Sequence, residues 1–214
     1  MKFRSSVELQ DFLDANLSLR KQELITLRFS VLSCRREHEE RVLLRAAIPL
    51  LYSHWEGFIK SSATAYLKFV SQQGILLKDL HHNFVALACR AEILAAAPTK
   101  KVGIHMDIIN FMVNNFNHAV PLNVEGAVDT ESNLTSKVLK DIIQTVGFAY
   151  TPSWETKSLW IDQQLIKYRN EIAHGELSRV DVNTYDQLHT HVIDTLDEFK
   201  TEIENAVVAK LYLK

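Results

Sequence analysis

Apolar residues recur at steps of three and four along most of this chain, the period of helices that turn one face inward. From Ser6 to about Ser33, Val7, Leu9, Phe12, Leu13, Leu17, Leu24, Leu27 and Val31 follow that step, and Ser5 or Ser6 offers an N-cap. A second long helix is predicted from about Glu37 to Val70, with Leu43, Leu44, Ala47, Ile48, Leu51, Trp55, Phe58 and Ile59 as its inward stripe. Glu37 stands four residues before Arg41, a pairing that supports an exposed face. Pro49 is expected to bend or locally break this helix, because it brings no N–H and crowds the preceding turn. Gly74 is the expected C-terminal cap.

Helical spacing continues over Asn83 to about Ala97, stopped by Pro98, and over Val102 to about Phe116. Residues 117–133 break the period with Pro121, Gly126 and a run of Asn, Asp and Ser, and read as a long loop with a short extended piece. A helix resumes near Leu134, with Ser132 or Thr135 as cap, and stops at Gly147. Trp154 to His174 is helical again, and Asp181 caps a last helix running to about Leu211. The expected fold is all-α: a bundle of long helices with shorter ones flanking it, built as a single domain over residues 1–214.

Composition narrows the partners more than the fold. Of 214 residues, 47% are apolar and 23% charged, which suffices for an ordinary core without covalent staples. The formal charge of -2 gives no global basic field, so contact with nucleic acid would have to be local or assembled by an oligomer. Cys34 and Cys89 make no disulfide framework and read as reduced residues of a cytoplasmic protein. No apolar run reaches membrane-spanning length, and the start of the chain is unlike a signal peptide.

Candidate chemistry is concentrated in "YRNEIAHGE", Tyr168 to Glu176. On a helix Asn170 and His174 lie one above the other, and Arg169 is displaced by a fraction of a turn. Gly175 suits the left-handed position just beyond a helix end. Histidine exchanges protons near neutrality, and arginine keeps its charge and grips phosphate with two donors. These parts suit RNA cleavage: His174 as base toward a ribose 2′-hydroxyl, Arg169 as clamp on the crowded phosphorane, Asn170 as the orienting group, with no metal required. Spacing alone also fits a blander arrangement, a helix-end histidine cap beside an arginine in a surface ion pair.

"RNEIAHGE" resembles the R-(polar)-x-x-x-H motif of the HEPN superfamily, and "LLYSHWEGFIK", Leu50 to Lys60, resembles a helix of the MAE-like HEPN nucleases and the related RiboL-PSP-type HEPN group. The two segments come in the expected order, about 110 residues apart. The resemblance implies an all-α domain that pairs as a homodimer, so that two motif helices face each other across a cleft. It implies metal-independent endoribonuclease activity as a toxin or phage-defence effector, with an RNA substrate and a cognate antitoxin or defence partner. Carried over residue by residue, it makes Arg169, Asn170 and His174 catalytic. The alternative is a catalytically silent helical binding module or partner-docking subunit, with Tyr168 a conceivable target of nucleotidyl modification.

Other residues carry supporting expectations. Trp55 reads as core; His54 and Glu56 are the ambiguous pair beside it. Glu56 is expected either to fix Arg169 or to sit in a structural ion pair, and Gly57 marks a close helix approach, placed under the motif helix. Arg41 and Arg45, four apart, either belong to a solvated face balanced by Glu37, Glu39 and Glu40 or line an RNA path. His189 and His191 point to nearly opposite faces and cannot share a metal, and no cysteine–histidine cluster, phosphate loop or serine elbow is present. No metal and no cofactor is expected.

Overall fold

The computed structural model describes residues 2–176 and 179–214, and among these no β-strand forms. Three long helices make the frame: α1 (Ser6–Ser33), α2 (Glu37–Ser71) and α9 (Val182–Val208), each packed on the other two. Between α2 and α9 come α3 (His82–Ala88), α4 (Arg90–Ala96), α5 (Val102–Asn115), α6 (Ser136–Thr145), α7 (Pro152–Trp160) and α8 (Lys167–Ala173).

The ends of these helices follow local chemistry. Ser5 starts α1 with a reciprocal capping box: its side chain accepts from the Glu8 amide while the Glu8 carboxylate accepts from the Ser5 amide. Thr135 caps α6 and Asp181 caps α9 in the simpler way, through a side-chain oxygen. α2 runs through Pro49 without the local break that was one of the two outcomes expected of it; Ala47, Ile48 and Leu51 around the proline are buried, and their packing outweighs the one lost backbone bond. The single helix expected over 83–97 is instead two, divided at Cys89, whose backbone leaves the helical region.

α2 is the axis of the core. Trp55, Phe58 and Tyr66 are fully buried along it, with Trp154, Phe84 and Phe199 closing from other helices. Trp160 meets Trp55 edge-on at 5.9 Å and is stacked on its other side by His191, 5.4 Å away. Replacing Trp55 by alanine would cost about 3–5 kcal/mol. His189 is buried and His191 exposed, so the two indeed face apart.

The 117–133 segment is irregular yet pinned. An antiparallel bridge joins Ala119 to Leu76, the Asn123 amide donates to the Leu87 carbonyl, and Arg90 donates to the carbonyls of Glu125 and Gly126 at 2.7 and 2.8 Å. Leu122 and Val128 are buried beneath it. α5, by contrast, buries none of its residues and presents Met106, Ile109 and Val113 to solvent.

Candidate active site

The motif helix is reached through an irregularity. α7 passes directly into a π-helical segment, Ile161–Ile166, which passes directly into α8. Wide turns of this kind occur mostly as single-turn insertions within helices, often at functional sites. Ile161, Leu165 and Ile166 are buried in this segment, and its Asp162 carboxylate accepts from the Ser136 amide and hydroxyl, holding the start of α6.

α8 ends at His174, and the chain turns at Gly175 with φ +80. The Gly175 amide donates to the Ile172 carbonyl at 3.1 Å and the Glu176 amide to the Glu171 carbonyl at 2.9 Å, the paired closure that favours glycine at this position. His174 is exposed on the last turn, its amide donating to the Asn170 carbonyl at 2.9 Å. Asn170 lies one turn earlier and is half-buried. Its side-chain oxygen accepts from the Arg169 Nη1 at 2.7 Å. That single contact ties the arginine to the helix face that also carries His174.

The other side of the Arg169 guanidinium lies over the Tyr52 ring, 4.9 Å from its centroid. Tyr52 is buried on α2, and its hydroxyl accepts from the Leu134 amide at 2.7 Å. Burial, and then the neighbouring Glu56 carboxylate, push the Tyr52 phenol up to about 12, with the Leu134 bond and the Arg169 charge opposing them. The ring therefore stays neutral and offers its electron-rich face to the cation.

The expected supporting residues fall differently. No ion pair joins Glu56 to Arg169 among the described residues; Glu56 stands beside Tyr52, one turn along α2. His54 lies on the opposite side of α2, facing α1 and away from the motif. Its Nε2 is 3.0 Å from a Glu23 carboxylate oxygen, and Arg20 donates to its backbone carbonyl at 3.2 Å. Burial, then the Arg20 charge, hold the His54 imidazole below its usual value against the pull of Glu23. Gly57 does mark a close approach, but of Arg20: a Cβ there would sit 2.9 Å from its Nη1. The helix beneath is thus α1, not the motif helix.

Arg45 reaches from α2 to the motif turn. Its Nη1 donates to the Glu176 carbonyl at 2.6 Å, clasping the turn that carries His174. Arg41 is exposed one turn away. Tyr168 is half-buried against the core. Arg45, Tyr52 and Glu56 share one face of α2, at steps of seven and four, and that face meets α8. Tyr52 escaped the sequence reading. Its signal was there in a tyrosine on an otherwise apolar stripe, which needs a partner for its hydroxyl.

In a comparison with known families the RiboL-PSP-HEPN family model matches residues 15–205, nearly the whole chain. The chain belongs to the RiboL-PSP-HEPN family. The all-α HEPN architecture expected from the motif is therefore the right one, and of the two groups resembled it is the RiboL-PSP type that matches. The match takes in α2 and α8 alike, and so every residue placed at the site. No curated protein and no solved structure matches the chain. Among the described residues no helix is long and apolar enough to cross a membrane, and no cluster of His, Cys, Asp and Glu could hold a metal ion.

Proposed function

We propose that this HEPN protein is a metal-independent endoribonuclease, a toxin or phage-defence effector of the cytoplasm, with Arg169, Asn170 and His174 as its catalytic residues. One observation carries the reading: at the end of α8 an exposed imidazole stands one turn from an asparagine that grips the arginine guanidinium. The His174 imidazole takes the proton of a ribose 2′-hydroxyl, whose oxygen attacks the adjacent phosphorus. Arg169 spends one N–H on Asn170 and keeps others for the phosphate oxygens, where charge builds in the transition state. The bond to the 5′-oxygen breaks, leaving a 2′,3′-cyclic phosphate and a 5′-hydroxyl.

The departing oxygen also needs a proton. A homodimer that brings a second His174 to the cleft supplies the acid, and a two-fold axis makes that contribution reciprocal. Light scattering at micromolar concentration is expected to give twice the chain mass. A cognate antitoxin or defence-system partner would restrain such an enzyme in the cell, and Tyr168, next to Arg169, is the residue such a partner would modify.

The test is cleavage of single-stranded RNA in EDTA by the purified protein. His174→Ala and Arg169→Ala are each expected to lower the rate by a factor on the order of 100 to 10,000 while the fold survives. Variants that cut as fast as the parent would sink the assignment. A second reading, a silent binding module, draws on Arg169 being already engaged by Asn170 and Tyr52. It predicts RNA binding with no cyclic phosphate and no toxicity on expression.

A further inference from the structure

Beyond the motif, one i, i+4 ridge of α2 runs Tyr52, Glu56, Lys60, Thr64, Lys68. Its first member carries Arg169 on its ring. Its last three members form one wall of a groove of about 700 Å³. The facing wall is the pinned loop: Val124, Glu125, Gly126, Val128 and Asp129. Both walls return to Tyr52, because the Leu134 amide at the end of that loop donates to the Tyr52 hydroxyl. The groove therefore lies on the same ridge of α2 as the ring that carries Arg169.

Its charges are sorted by wall. Lys60 and Lys68 stand on the helix, about 12 Å apart by helical rise, and neither forms an ion pair among the described residues. Glu125 and Asp129 stand on the loop, whose backbone Arg90 holds at the Glu125 and Gly126 carbonyls. Val124 and Val128 add apolar surface between the acids. A ligand fitting this groove has anionic groups along one edge, and flat bodies with N–H donors along the other. A single nucleic-acid strand has that form: phosphates on one side, and on the other bases whose exocyclic amines donate to carboxylates.

We propose that this groove is the RNA-strand subsite of the protein, with Lys60 and Lys68 holding phosphates and Glu125 and Asp129 favouring amino-bearing bases over uracil. The inference deepens the ribonuclease reading and takes its ligand from it, but binding here is independent of whether a bond is cut. The Asp129 carboxylate already accepts from the Glu131 amide through one oxygen, so Glu125 carries the larger share of base selection.

The experiment uses the full chain and 2′-O-methyl octamers of cytidine and uridine, which have no free 2′-hydroxyl and cannot be cleaved. Fluorescence anisotropy is expected to show the cytidine octamer binding about tenfold more tightly. The Lys60→Glu/Lys68→Glu double variant should lose about tenfold or more for both octamers, and Lys60→Ala/Lys68→Ala should flatten the log–log salt slope by about 1.4. Glu125→Gln should weaken binding of the cytidine octamer more than that of the uridine octamer, narrowing the preference. An unaltered melting curve shows that each variant is folded. Parent-like binding by both lysine variants, or no octamer binding by the parent, overturns the subsite; equal affinity for the two octamers overturns the base selection. Loss of cleavage in His174→Ala is read separately on ordinary RNA, so either idea can fail without the other.

Discussion

The Arg169 guanidinium lies 4.9 Å from the centre of the Tyr52 ring, and that ring is fixed in turn by a 2.7 Å hydrogen bond from the Leu134 amide to its hydroxyl. A long, flexible cation is thereby held from a buried platform on another helix. Tyr52→Phe keeps the platform but leaves the Leu134 amide without its acceptor, at a cost of about 1–3 kcal/mol. Tyr52→Leu removes the ring as well. Urea denaturation should rank the parent, Phe and Leu proteins in that order of stability. RNA cleavage should fall much further in the Leu variant than in the Phe variant, because only the former frees Arg169.

Arg45 acts at the other end of the motif, with its 2.6 Å bond to the Glu176 carbonyl. Arg45→Ala should change global stability by less than about 1 kcal/mol, since the contact is exposed. Cleavage should nonetheless drop, with kcat affected more than KM, because the turn that presents His174 loses its clasp. Equal falls in melting temperature and activity would reduce Arg45 to a stabilising contact.

Gly175 lies at φ +80 with open space where a Cβ would point, so only backbone strain opposes a side chain there. Gly175→Ala should destabilise the protein by about 1–2 kcal/mol in thermal or urea unfolding. Gly147, also at positive φ, adds a steric obstacle, because its Cβ would meet the Asn83 side chain at 2.8 Å. Gly147→Ala should therefore be the more damaging of the two.

Two histidines away from the motif tie stability to acidity. Burial first, then a nearby arginine, lower the proton affinity of both His54 and His189 in the folded state. The unfolded chain then binds more protons than the folded one in the interval below the ordinary histidine value of about 6.5. Stability from this source is intact above that value and declines as the pH falls through it. Unfolding midpoints measured from pH 7.5 to pH 5 should decrease, and His54→Gln with His189→Gln should flatten the decline. A parent curve flat over that range would contradict it.

Much of the scaffold was legible in the order of residues. The caps at Ser5, Thr135 and Asp181 and the left-handed glycine at 175 are short-range signals, and short-range chemistry decides them. The motif and the long α2 segment together identified the family, because their types, order and separation constrain each other. What the sequence withheld was which neighbour each face of α2 would meet. His54 and Glu56 lie two residues apart on opposite sides of one helix, and only packing decides that α1 takes the first and α8 approaches the second. For a related reason burial carried a helix through Pro49 without a break, and a backbone excursion at Cys89, which no residue pattern marks, divided another.

The widened turn at Ile161–Ile166 has a consequence for evolution of the site. Each residue added to or removed from a helix rotates everything after it by about 100°. In a π-turn the added residue is taken up by wider winding instead, so the Arg169–His174 face keeps the bearing toward Tyr52 that an α-helix one residue shorter would give it. The spare residue works as slack, and a lineage could lose one codon there by letting the turn close to ordinary α-helix, with the catalytic face still aimed at its platform.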